Sequence, residues 1–489
     1  MIDNLLDKSA KRKLDFIRIL ETAGDFSISK IEMQEIMGIS EFICNQIIEE
    51  CLLDFEEYNL NEYFNLKVSG PDIILFESHQ ANSELLLEAL VKNSLKFNLL
   101  LDIYMNDEIN INQFAEDNFI SLSTMYKMVK ELKKFMSEFD IEITKKLELV
   151  GPEEKIRYFF YQLFNRVDHN ADIMYPKTMH LGVGEIVDRL IFDTGLSCKE
   201  LSRNKLFHYL DMSIHRHKST EYSAVGYGAI DIYSKESIIW QSVYMSLENI
   251  GIFSEEALKH ETTVIMGILL TEHMLDVSDC VDLPDDSLLH NYVGDFINEF
   301  QKVFKNEIVL KRTEKEFTDD LVISAYGMLA FAPNNRWMPN NLEVTYFEET
   351  YNEYFHFCRE YIMNCDLPNI DDYQQHLFYN YLLVLIKHIS LSNISKAVTV
   401  CVDFGLGLNY AEFIKENMMF LNSINIEFSD DYREVDLVLT DSPNTYEDID
   451  NKIVWLAPPR ATDWTNLANY IVKIRNGETK LPMTEIDPE

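Results

Sequence analysis

Apolar residues recur at helical spacing along most of the chain, and the departures from that spacing mark its divisions. Residues 10–22 carry an amphipathic helical stripe. In SISKIEMQEIMGISEFICNQIIEECLLDFEEY (27–58) the pattern predicts a short helix, a tight turn at Gly38, Ile39 and Ser40, and a longer helix from Glu41. Two strand-like runs follow, 64–68 and 73–76, separated by the turn-forming Ser69, Gly70, Pro71 and Asp72. Helix–turn–helix plus ribbon is the outline of a winged helix. The outline then recurs: a helix over 83–104, a helix–turn–helix in INQFAEDNFISLSTMYKMVKELKKFMSEF (111–139), and a ribbon at 141–144 and 147–150 that ends at Gly151 and Pro152. The duplication is one of pattern, not of sequence.

From 169 to 393 the pattern is almost entirely helical and falls into two blocks. The first predicts helices near 182–193, 199–217, 235–250 and 255–276; the second, near 286–305, 317–331, 344–364 and 371–391. Each block ends in an apolar run followed by His: IMGILLTEHMLD (265–276) and YLLVLIKHISLS (381–392). The last segment changes period. A continuous apolar run at 397–402, short strands at 424–428, 435–440 and 453–457, and helices at 409–421 and 463–475 predict a small α/β domain with a parallel sheet. The expected fold is therefore mainly α and multidomain, with divisions at 1–80, 81–168, 169–283, 284–393 and 394–489.

Composition narrows the function. With 82 acidic against 43 basic residues, the formal net charge is −39. Such a chain is no general polyanion binder, and any nucleic acid must meet a local basic surface. The seven cysteines are an odd number with no CxxC. The first fourteen residues have no apolar leader core, and apolar runs such as 264–270 fall far short of the roughly 20 residues that cross a bilayer. A reduced, cytoplasmic chain without a membrane span is expected. No Walker, GxSxG or HExxH motif is present, and no enzyme or cofactor is predicted. The loop in VDFGLGLN (402–409), between a strand and a helix, is a weak phosphate-cradle signal.

The local basic surface lies in the second helix–turn–helix. With Met125 at 0°, Met128, Val129, Leu132, Met136 and Phe139 fall within about 60° of it. Ser123, Lys127, Lys130 and Lys134 fall between about 140° and 200°, on the opposite side, flanked by Tyr126 and Lys133. Ser121 is the expected N-cap, and Ala115 is the small residue that lets two such helices approach. This face suits a recognition helix in the major groove, with lysines on phosphates and hydroxyls near phosphates or base edges. The alternative is a solvated helix face. The first helix–turn–helix offers Ser40, Asn45 and Gln46 as secondary contacts, but Glu41, Glu49 and Glu50 would repel phosphate. Lys11, Arg12 and Lys13 are either a backbone contact or a solvated helix end. In KLFHYLDMSIHRHKS (205–219), His208, Asp211 and His215 share a helix face with Arg216 close by. A metal site, a phosphoacceptor histidine steadied by Arg216, and an ordinary buried histidine all remain open.

Together these features resemble the Mga/AtxA-like transcriptional regulators of Gram-positive bacteria, over essentially the whole chain. FISLSTMYKMVKELKK (119–134), KLFHYLDMSIHR (205–216) and ILLTEHML (268–275) are the best local matches. The resemblance implies two N-terminal winged helices, two helical phosphotransferase-system regulation domains and a C-terminal domain like the enzyme IIB component of sugar transport. It implies double-stranded DNA, a phosphotransferase-system phosphocarrier and a second copy of the chain as partners. His208 with Arg216, His273 and His388 take the phosphoacceptor positions. Two departures stand out. Tyr326 occupies a place where the second regulation domain would carry His, and Val402 stands where an active enzyme IIB carries Cys, with Cys401 one residue off and so facing the other side of its strand. The implied function is a regulator, an activator, tuned by histidine phosphorylation and dimerisation. A phosphocarrier and an RNA-binding antiterminator are the alternatives.

Overall fold

The structure is a computed structural model. It describes residues 2–105, 109–168, 182–219, 232–283, 287–304, 310–331, 333–338, 344–390, 394, 396–418, 425–446, 449, 451–456 and 458–477. The chain divides into two compact units, Met1–Asp282 and Leu283–Glu489.

The first unit begins with α1 (Lys8–Thr22), β1 (Ser27–Ser29), α2 (Lys30–Met37) and α3 (Glu41–Glu57), followed by the ribbon β2 (Phe64–Ser69) and β3 (Asp72–Glu77). β1 joins the ribbon antiparallel, giving a three-stranded wing in the order β1-β3-β2. Then come α4 (Ser83–Lys92), α5 (Leu95–Met105), α6 (Ile111–Asp117), α7 (Leu122–Ser137) and a second, shorter ribbon, β4 (Glu142–Ile143) with β5 (Leu149–Val150). The single helix expected over 83–104 is broken. Asn93 turns its amide onto the Ala89 carbonyl, and Ser94 caps the next helix by accepting from the Phe97 N–H.

α8 (Glu153–Val167) follows directly, where no helix was expected. Its stripe of Ile156, Phe159, Phe160, Leu163, Phe164 and Val167 is buried, and it packs on α4 and α10. The helical block consists of α9 (Val183–Thr194), α10 (Glu200–Ser219), α11 (Ile238–Glu248), α12 (Glu255–Thr271) and the short α13 (Val277–Cys280). α12 stops earlier than its apolar run suggests, because His273 adopts φ 53°, outside helical geometry.

The helical part of the second unit consists of α14 (Leu288–Phe304), α15 (Glu314–Phe331), α16 (Val344–Thr350), α17 (Asn352–Asn364) and α18 (Ile370–His388). Tyr351, at φ −123° and ψ 43°, splits what the pattern joined into one helix. The end of the chain is β6 (Val398–Asp403), α19 (Leu408–Met418), β7 (Ile426–Phe428), β8 (Leu437–Thr440), β9 (Lys452–Val454) and α20 (Ala461–Arg475). All its strand pairs are parallel, in the order β7-β6-β8-β9. Val398, Val400 and Val402 face a core built with Ile414, Leu467 and Ile471; Cys401, on the alternate side of the strand, is not part of that core.

Candidate nucleic-acid interface

α7 forms where the sequence pattern puts it. The Ser121 hydroxyl accepts from the Thr124 N–H at 3.1 Å, satisfying one of the unpaired N–H groups of the first turn. Met125, Met128, Val129, Leu132, Phe135 and Met136 are buried, which fixes the rotation of the helix. Buried Ala115 lies on α6, which packs against α7. Ser121, Ser123, Tyr126, Lys127, Lys130 and Lys134 are exposed as a consequence, and Lys133 is half-buried at the flank. The acidic residue of this helix, Glu131, is held at 2.9 Å by Lys96 and lies 4.0 Å from Lys127. One residue at this site carried no signal in the reading of periodicity. Phe119 is 97% exposed in the turn before α7 and adopts φ 55°, a conformation that bulky side chains seldom occupy.

The first helix–turn–helix spends its candidate contacts internally. Ser40 caps α3. The Asn45 side-chain oxygen accepts from Lys30 Nζ at 3.0 Å, and Gln46 donates to Glu50 at 2.7 Å. The exposed positions of α3 include Glu41, Phe42, Gln46, Glu49, Leu53 and Glu56. Lys13 is not part of a solvated helix end: it is 9% exposed and ion-paired with Asp54.

In the helical block, His208 is 1% exposed, and its Nε2 lies 2.9 Å from the Asp168 carbonyl. His215 Nε2 lies 3.1 Å from the Tyr104 carbonyl. With those nitrogens on backbone oxygens, the His208–Asp211–His215 face is not arranged around a cation, and among the described residues no cluster of His, Cys, Asp and Glu is disposed to hold a metal ion. His273 is exposed at the end of the block. Arg216, read as a phosphate clamp, holds Glu153 at the start of α8 through Nε at 2.8 Å and through its second nitrogen. Arg157 on α8 is fully buried; it reaches Glu153 at 3.1 Å and Glu261 at 2.5 Å, and the Ser213 hydroxyl donates to Glu261 at 2.7 Å. This network ties α8 to α10 and α12. The sequence signal for it was the lone Arg157 inside an aromatic-rich helical stripe.

In the second unit His388 is fully buried, with Nε2 2.5 Å from Asp320. Burial alone would raise the Asp320 carboxyl, but hydrogen bonds from His388 and Lys387 outweigh it and hold the group below its usual range. Tyr326 is buried. The Cys401 thiol is pushed up by burial and then by Asp403 and Asp430, which disfavours the thiolate that phosphotransfer needs. In the glycine loop the Gly405 N–H donates to Asp441 at 2.9 Å, so a carboxylate of the chain itself takes the cradle's donor. Among the described residues no helix is long and apolar enough to cross a membrane.

Residues 79–164, the second winged helix with α8, match the Mga helix-turn-helix domain. Two curated relatives are regulators by name. One, a trans-acting regulator of Streptococcus pneumoniae, is 22% identical over 165 residues, which cover 33% of this chain and 32% of that protein. The other, the capsule synthesis positive regulator AcpB of Bacillus anthracis, is 19% identical over 213 residues, 43% of each chain. The chain therefore spans less than half the length of the curated relatives it matches. Through its helix–turn–helix domain and these relatives, the chain is similar to the Mga/AtxA-like regulators.

Proposed function

We propose that the chain regulates transcription by binding double-stranded DNA through α7. One observation carries this reading: the exposed hydroxyl and lysine face of α7 lies inside the segment that matches the helix–turn–helix domain. In a chain of net charge −39 that face is the local basic surface DNA requires. Lys127, Lys130, Lys133 and Lys134 contact phosphates; Ser121, Ser123 and Tyr126 lie near phosphates or base edges. One such face supplies few phosphate contacts, so a homodimer, with its interface in the helical blocks and the segment 394–489, doubles them.

The regulator is an activator under the control of a phosphotransferase-system phosphocarrier acting on His208, His273 and His388. Exposed His273 is the site such a carrier reaches directly; buried His208 and His388 require the block to open. A phosphoryl group adds roughly −1.5 to −2 charge. On α10 that charge is added to the helix whose Arg216 holds α8, the last helix of the matched segment. Support for the link to DNA is this continuous path from α10 through Arg216, Glu153 and Arg157.

The test is a footprint of the protein on its own genomic neighbourhood, with and without phosphotransferase components, beside gel shifts with duplex DNA and single-stranded RNA. Duplex preference with a discrete footprint is expected. Equal binding to the RNA would favour the antiterminator reading. Promoter output unchanged in His208→Asp, His273→Asp and both alanine variants would remove control through these two histidines.

A further inference from the structure

A groove of about 500 Å³ opens between α16, α17 and α18, within the roughly 300–1,000 Å³ that small-molecule sites occupy. Its apolar floor includes Phe355 and Ile362 of α17 and Phe378 of α18. Phe355 and Ile362 are buried, so the floor is fixed by the packing of the block. Two opposite charges also line the groove: Arg359 on α17 and Glu348 on α16. They do not neutralise each other, nor does either form an ion pair within 4.0 Å of another described residue. Tyr379 lines the groove with its ring, while its hydroxyl is shut off from solvent.

We propose that this groove binds a free amino acid with an apolar side chain. Arg359 takes the carboxylate and Glu348 the ammonium, while the side chain lies on Phe355, Ile362, Phe378 and the Tyr379 ring. Other classes of ligand fit less well. A fatty acid or simple carboxylate leaves Glu348 without a partner. A sugar phosphate sets its charge against Glu348 and its hydroxyls against an apolar floor. The site is also connected to the last domain. The Arg475 guanidinium of α20 donates to the carbonyls of Glu349 and Thr350, at 2.6 and 2.8 Å, immediately after Glu348. A ligand held by Glu348 therefore steadies α16 and, through it, α20. The binding step does not depend on the DNA-binding reading.

The experiment is calorimetric titration of the full chain with L-leucine and L-phenylalanine, with hydrogen exchange read on α16 and α20. Comparators are 4-methylpentanoate, which lacks the ammonium, isoamylamine, which lacks the carboxylate, and glycine, which lacks the side chain. Leucine or phenylalanine is expected to bind and to slow exchange in both helices, with each comparator about tenfold weaker or worse. Arg359→Gln and Glu348→Gln should each lose about tenfold or more in affinity. Neither side chain is buried, so circular dichroism should match the parent. No heat and no change in exchange with either amino acid at millimolar concentration overturns the proposal. So does binding that survives both substitutions, or 4-methylpentanoate binding as tightly as leucine.

Discussion

The two winged helices share a turn and differ in what they do with it. In the first, Gly38 adopts φ 62°, its N–H donates to Glu35 O and the next N–H, of Ile39, to Gln34 O; Ser40 then caps α3. In the second, Phe119 stands where Gly38 stood, at φ 55°, with the same pair of bonds to Glu116 O and Ala115 O, and Ser121 caps α7. The backbone solution is the same, but the exposed chemistry is opposite. α3 presents glutamates with Phe42 and Leu53, whereas α7 presents hydroxyls and lysines. One scaffold used twice therefore does not imply one function used twice. The first domain spends Asn45 and Gln46 on intramolecular bonds and exposes Glu41, Glu49 and Glu56, while the second keeps its polar groups outward.

The sharpest way to break this contrast is to remove the α7 cations. Lys127→Ala, Lys130→Ala and Lys134→Ala together should remove the three phosphate contacts proposed for them, each contributing roughly 0.9 to the slope of log K against log salt. That amounts to about 500-fold in duplex affinity per protomer at about 0.1 M salt, with a flatter salt dependence. Fluorescence anisotropy across a salt series reads both, and an unchanged slope would show that α7 is only a solvated face.

The shared turn gives a second test, smaller and of opposite sign in the two domains. A non-glycine residue in the left-handed region costs about 1–2 kcal/mol. Phe119→Gly should therefore stabilise the second domain, while Gly38→Ala destabilises the first by a similar amount; thermal melts of the two variants should move in opposite directions. If Phe119→Gly lowers the melting temperature, the exposed ring makes contacts worth more than the strain.

The first domain also carries a proton that the contrast predicts will matter. Burial, then the hydrogen bond and charge of Glu21, push the Glu77 carboxyl from 4.5 up to about 7. The folded state holds this proton more tightly than the unfolded chain, so local stability is present at low pH and falls as pH rises from about 4.5 to about 7. Glu77→Gln should flatten that fall, read as hydrogen exchange of the β2–β3 amides at pH 5 and pH 8. A pH slope unaltered by the substitution would place the titration elsewhere. The smallest effect belongs to α3: Asn45→Ala with Gln46→Ala should change duplex affinity less than about twofold, since surface changes of this kind stay within about 0.5 kcal/mol. A larger loss would bring the first winged helix onto the DNA.

How far the sequence reaches is visible in these same elements. The period of apolar residues, the serines before α3 and α7, the Gly-Pro ribbon turn and the apolar run of β6 were enough to locate both winged helices, both helical blocks and the parallel sheet, and to orient the α7 lysines outward. These are local properties: a helix or strand repeats its environment every few residues, and one rotation fixes every side chain on it. The breaks at Ser94 and Tyr351, by contrast, came from caps and backbone angles that periodicity does not encode.

The partners of charged and histidine side chains were decided by tertiary structure alone. Arg157 meets Glu261 across 104 residues of sequence, Arg216 closes on Glu153 rather than standing open for a phosphate, and His388 is buried on Asp320 while His273 is exposed. The groove that leaves Arg359 and Glu348 unpaired exists only because three helices meet around it. Sequence spacing reports which face of an element a residue occupies. Which face of another element comes to lie against it, and so whether a charge is satisfied, buried or left for a ligand, depends on contacts between distant segments that no single segment records.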